Sequence, residues 1–214
     1  MRKGLIALLL LIALGACNQP APVSAKANKP IELNYKKMDK DEFWKIIEKA
    51  RQESNGDQDL HYKILVETLS AYEPEHIIQF EIIFEQFVRD ADDYKIVAAQ
   101  KIIEGGVTDD TYLYFRCWLI AQGEQVFLAA LNNPDTLTDV AEGGFSTDFE
   151  ELLYVATAAY HKRTGIKEED DTFPRGKASA VGLNYDFDAP PTKGKDWKVE
   201  DLPKMYPGLW AKFH

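Results

Sequence analysis

Arg116 is the residue with the most chemical promise in this chain. It interrupts an apolar, aromatic run, YLYFRCWLIA, at positions 112–121. Asp109, Tyr112, Arg116 and Leu119 recur at helical spacing and so share one face. A guanidinium on a mostly apolar face needs a carboxylate or a ligand, because an unpaired buried charge is very costly. Two fates are open: an anion-binding arginine flanked by Tyr112, or a salt bridge within the fold to Asp109, Asp110, Glu150 or Glu151. Buried charges are usually paired inside their own fold, so the salt bridge is the expected one. Glu150 and Glu151 are adjacent carboxylates ahead of the apolar stripe LLYVA. Such a pair can serve as acid and base in glycoside or ester hydrolysis. Acids in a helix's first turn more often complement its dipole, and that is expected here. Asp109, Asp110, Tyr112, Arg116, Glu150 and Glu151 are thus the candidate residues for a ligand or partner.

Other chemistries find no support. His61, His76, His161 and His214 lie far apart, with no H-x-x-x-H pair. His61 falls on an apolar face and is expected to be a hydrogen-bonded core residue rather than a ligand. N-x-D-x-D at 184–188 opens like a calcium loop, but Ala189 and Lys195 stand where that loop needs Gly and Glu. There is no G-x-S-x-G, Walker or G-x-G-x-x-G motif. Four-ligand Cys/His spacing for zinc is absent too. No metal and no cofactor are expected. A net charge of −10 opposes nucleic-acid binding, which runs on Lys and Arg contacts to phosphate.

The two cysteines, Cys17 and Cys117, decide the compartment. Upstream of Cys17, Arg2 and Lys3 precede an unbroken apolar run over residues 5–14. That run suits the core of a signal peptide and is too short to span a bilayer. Leu14-Gly15-Ala16-Cys17 resembles the lipobox of bacterial lipoproteins. The resemblance implies cleavage before Cys17 and acyl chains on its thiol and new amino group. Several chains anchor a protein stably, at about 0.8 kcal/mol per buried methylene. Residues 1–16 are then a signal peptide, and 17–37 the lipidated cysteine and a flexible tether rich in Pro, Ala and Asn. The expected location is the bacterial cell envelope. Asn18 favours the outer membrane, on its periplasmic face, if the cell is Gram-negative. Loss of Arg2 and Lys3 takes the net charge from −10 to −12. An acylated Cys17 cannot pair, so Cys117 is expected to be a buried free thiol.

The elements that must hold these side chains are helices. The pattern over 38–214 predicts one all-α domain of six to seven of them. Asp39 and Glu42 read as a capping box opening a helix that Asn55-Gly56 ends. A second runs over 57–72 with His61, Leu65 and Leu69 inward. Pro74 opens a third, whose Ile77, Phe80, Phe84, Phe87 and Val88 mark it as central. A fourth ends at Gly105-Gly106, a left-handed cap. A fifth starts at Thr108 or Asp109, and Gly123 bends or breaks it before a sixth that stops at Asn133-Pro134. Thr147 and Glu150 read as a second capping box for a helix ending at Gly165. Residues 166–196 are expected to be a long irregular loop, and Trp197, Tyr206, Trp210 and Phe213 to dock the C-terminal end.

Four phrases, FWKIIEKAR (43–51), GGVTDDTYLYFRCWLIAQGEQVFLAALNNPDTL (105–137), FEELLYVATAAYHKRTG (149–165) and LPKMYPGLWAKF (202–213), resemble the bacterial family called domain of unknown function 4240. The resemblance spans about 39–213 and implies a helical fold. It brings no activity, substrate or cofactor. The chain therefore reads as an envelope lipoprotein with a helical binding domain that docks or neutralises a protein partner. The alternative is a carboxylate-dependent hydrolase, with Arg116 and Glu150/Glu151 beneath the 166–196 loop.

Overall fold

Aspartates cap the first two helices as the sequence predicts. In the computed structural model, which describes residues 38–143, 147–166, 174–185 and 189–214, Asp39 accepts from the Glu42 N–H at the start of α1 (Lys40–Ser54). Asp57 does the same for Leu60 ahead of α2 (Gln58–Ser70). The other half of the first capping box does not form. The Glu42 carboxylate instead accepts from the Tyr72 hydroxyl at 2.9 Å, which ties α1 to the end of α2. Residues 1–37, Cys17 included, lie outside the described residues. All described residues belong to one compact unit.

Pro74 sits in the first turn of α3 (Pro74–Asp90), where its missing N–H has no partner to lose. Helix α4 (Tyr94–Glu104) ends at Gly105 with φ 75°, and Thr108 with Thr111 forms a capping box for α5 (Asp109–Ala121). Gly123 then breaks the chain sharply. Its φ is 89°, a conformation that strains any residue with a Cβ, so glycine is favoured before α6 (Glu124–Asn132). A 3₁₀ segment follows over Pro134–Asp139. The second predicted capping box is not used. Phe149 precedes a 3₁₀ turn at Glu150–Tyr154, Asp148 accepts from the Glu150 N–H, and α7 (Val155–Thr164) starts only afterwards. The Thr147 hydroxyl instead donates to the Glu104 carboxylate, linking this turn to α4.

The aromatic residues of α1, α3 and α6 make the centre of the core. Phe43 lies 4.6 Å from Phe80, Trp44 lies 4.6 Å from Phe87, and Phe127 closes on both Trp44 and Phe87 at 5.3 Å. Each such ring buries a large apolar area, and tilted contacts add about 0.5–1.5 kcal/mol per pair. Cys117 is fully buried in this core, and burial pushes its thiol well above the usual range. Among the described residues no helix is long and apolar enough to cross a membrane.

The predicted irregular loop carries more order than its composition suggests. Pro174–Ala180 forms α8, which packs on α3 through the fully buried Ala178. Lys193 forms a parallel bridge opposite Asp93, its N–H donating to the Asp92 carbonyl and its carbonyl accepting from the Tyr94 N–H. The C-terminal segment docks as expected, by α9 (Leu202–Met205) and α10 (Pro207–Phe213). Trp197 donates its indole N–H to the Tyr94 carbonyl at 2.7 Å, and the Asp135 carboxylate accepts from the N–H groups of Gly208 and Leu209.

Candidate functional site

Tyr112 and Arg116 meet on the face of α5 that packs toward the end of α3. The Tyr112 hydroxyl accepts from the Asp93 N–H at 3.0 Å and lies 3.2 Å from the Ala91 carbonyl, to which it donates. Burial raises its pKa further, so the phenol stays neutral and its ring stays fixed. The Arg116 guanidinium lies over that ring, 4.4 Å from its centroid. Its Nε donates to the Tyr112 carbonyl at 3.4 Å and its Nη1 to the Val88 carbonyl at 3.2 Å. Arg116 is only 5% exposed.

The expected salt bridge is absent. Among the described residues no carboxylate lies within ion-pair distance of Arg116. The reason is helical geometry. Residues two apart on a helix diverge by about 200°, so Asp110 and Tyr114 face away from Tyr112 and Arg116. Glu150 joins Asp110 on that other side, where both charges hold the Tyr114 phenol up, after burial. Glu150 also accepts from the Tyr154 hydroxyl at 2.9 Å. Asp109, Asp110 and Glu151 are exposed. Of the six candidates, the structure brings only Tyr112 and Arg116 together.

With five donors and two of them used, the guanidinium keeps N–H groups to give. It lines a pocket of about 220 Å³ with Gln86, Asp92, Tyr185, Pro190 and Pro191. Arg89 and Lys193 stand at the same pocket, so three cations face the two acids Asp90 and Asp92. Both are locally engaged: Arg89 donates to the Gly182 carbonyl, and the Lys193 ammonium donates to the Arg89 and Asp90 carbonyls at the end of α3. Arg116 is the buried donor of the pocket, while Arg89 and Lys193 belong to its more exposed rim.

A second group of residues gave no signal in the sequence. Glu81 and Glu85 are one helical turn apart on α3 and are 1% and 2% exposed. Burial pushes both carboxyls up, Glu81 to about 7 and Glu85 to about 8, and in Glu85 the charge of Glu81 adds to the rise. The nearest cation is Arg175 of α8, whose Nε is 3.9 Å from Glu81, beyond a hydrogen bond. Its Nη2 donates to the Leu153 carbonyl instead. Acids at i and i+4 on a helix ordinarily face water, and nothing local announces that α8 will cover these two. Among the described residues no group of three His, Cys, Asp or Glu side chains could hold a metal ion.

Neither a curated protein nor a solved structure matches the chain. One family does, over residues 38–162. That span holds Glu81, Glu85, Tyr112 and Arg116, while Arg175 and Tyr185 lie beyond it. The matched region covers more than half of the sequence, and the chain belongs to the family described as "Protein of unknown function (DUF4240)".

Proposed function

We propose that this chain is a lipid-anchored protein of the bacterial envelope whose helical domain is a non-catalytic binding module for a protein partner. The observation that carries the binding half is Arg116: a guanidinium buried on a tyrosine ring and facing a pocket, with no carboxylate among the described residues within ion-pair distance although Asp90 and Asp92 line the same pocket. Retaining such a charge costs stability unless an anion completes it. The pocket, at about 220 Å³, is smaller than the roughly 300–1,000 Å³ usual for small-molecule sites, so it suits one acidic side chain or a chain terminus. The net charge, −12 after loss of residues 1–16 with Arg2 and Lys3, attracts a partner that is basic overall. The partner is thus a basic protein that seats one acidic group at Arg116.

The anchoring half is supported by the ordered sequence before Cys17 and by the Pro-rich stretch after it. A hydrolytic reading gains nothing from the geometry. Arg116 and Glu150 occupy different sides of α5, and Glu81 and Glu85 are too enclosed to meet a substrate.

A pull-down from native membranes with the Cys17-anchored protein tests both halves. The expected result is a specific basic protein at stoichiometric yield, lost when Arg116→Leu is used as bait, and a mature chain whose first residue is acylated Cys17. Recovery of only generic envelope proteins, or equal recovery by Arg116→Leu, would refute the binding reading.

A further inference from the structure

A larger pocket, of about 430 Å³, opens at the turn between α1 and α2, and it is built for different chemistry. It lies against Trp118, two residues on from Arg116 and so on another side of α5. The size falls within the range of small-molecule sites.

Its floor holds an unsatisfied histidine. His61 is 7% exposed, packs on the Phe149 ring at 5.3 Å, and has a buried Nε2 with no hydrogen-bond partner among the described residues. The sequence led us to expect a satisfied core histidine; the packing is as expected and the satisfaction is not. Burial, and then the charge of Arg51, pushes its pKa down to about 4, so the imidazole is neutral at ordinary pH. A buried polar atom left unpaired costs about 1–3 kcal/mol, and a ligand group at Nε2 removes that cost.

The other polar groups are mostly uncharged amides, Gln52, Asn55, Gln58 and Gln122, which offer both donors and acceptors. Gln52 donates its amide N–H to Glu48 at 2.7 Å, Gln58 to the Asp148 carbonyl at 2.6 Å, and Gln122 to the Trp118 carbonyl at 3.2 Å. Each amide uses one N–H in this way and keeps a carbonyl oxygen and a second N–H. Glu142 adds acceptor capacity at the rim. The one cation, Arg51, is held in two hydrogen bonds by Glu48, at 3.1 and 2.7 Å, and its charge is matched there. Trp118 and Phe149 supply apolar wall. A suitable ligand therefore carries groups that both donate and accept hydrogen bonds, has no net charge and has an apolar face.

We propose that this pocket binds a neutral saccharide unit, whose hydroxyls hydrogen-bond with the glutamine amides and His61 Nε2 while its C–H face lies against the aromatic wall. Every lining residue falls within 38–162, so the site is contained in the part of the chain that matches the family. It is independent of the Arg116 pocket.

The test is calorimetric titration of the full chain, in a detergent without a sugar headgroup, with the mono- and disaccharides of glucose, galactose and N-acetylglucosamine. The expected result is saturable binding of at least one of them at about 1 mM or tighter. His61→Phe, and independently Gln122→Ala, should each weaken it about tenfold or more while leaving the helical circular dichroism unchanged. Absence of saturable binding across the panel overturns the proposal. So does binding that both variants leave unaltered. Saturation by spermidine with the same His61 dependence overturns it as well, since the acceptors would then serve a cation.

Discussion

The buried Glu81–Glu85 pair makes the stability of this fold depend on pH in a way that can be worked out and removed. In the unfolded chain each carboxyl titrates near its model value of 4.5; in the folded chain burial holds them at about 7 and about 8. Below pH 4.5 both states keep the protons, and the pair costs nothing. As pH rises the unfolded chain releases its protons first, so stability falls through the window from about 4.5 to about 8 and levels off above it. Each pH unit of separation is about 1.4 kcal/mol, so the two carboxyls, which titrate as one coupled pair, cost on the order of several kcal/mol together. The facing groups are Arg175 from α8, Arg89 on α3 itself, Cys117 from α5 and Tyr185. The two arginines oppose the rise, as does the hydrogen bond of Glu85 for Glu81, and none of them restores the ordinary value. The double variant Glu81→Gln/Glu85→Gln keeps the shape and removes the titration. Arg175 is partly exposed and keeps its bond to the Leu153 carbonyl, so losing its acidic neighbour costs little. Urea unfolding of both proteins at pH 5, 6, 7 and 8 isolates the pair by difference. The variant should gain on wild type steadily with pH, by on the order of several kcal/mol at pH 8. A difference that stays flat, or a variant less stable than wild type at pH 8, would show that these carboxyls are not held up by burial.

Further outcomes follow from other buried groups. His61 has a depressed pKa, about 4 against 6.5 unfolded, so the fold loses stability as pH falls from 6.5 toward 4, and His61→Phe should remove that limb of the urea profile. Cys117 should not react with a thiol reagent in the native state. On denaturation one thiol per chain should appear if Cys17 is acylated, and two would refute the anchor. Phe80→Ala should cost about 3–5 kcal/mol in chemical unfolding, because Phe80 is fully buried against Phe43.

The helices that position Arg116 were legible because each announces itself locally. Asp39, Asp57 and Thr108 cap as their types require, Pro74 sits at a first turn, and Gly105 and Gly123 take the left-handed or open conformations that end elements. Helices α8, α9 and α10 were not legible. They are four to seven residues long, too short for a periodicity, and they form because docking on α3, α4 and the 134–139 turn holds them. The site was half legible for the same reason. Spacing alone puts Tyr112 and Arg116 on one face, and it also separates them from Asp110. Whether a carboxylate from elsewhere reaches Arg116, and whether a helix covers Glu81 and Glu85, depends on tertiary contacts between residues such as Arg175, Tyr185 and Pro190 that share no sequence pattern with α5 or α3.

The claim at the centre of this account is that the Arg116 charge is completed by a partner and not by the fold. Urea unfolding of the Arg116→Leu protein tests it most directly. Loss of the ring stack and two carbonyl contacts, set against removal of a buried charge that no described carboxylate pairs at ion-pair distance, predicts a stability within about 1 kcal/mol of wild type. A loss of about 3–5 kcal/mol, the signature of a broken buried ion pair, would contradict it.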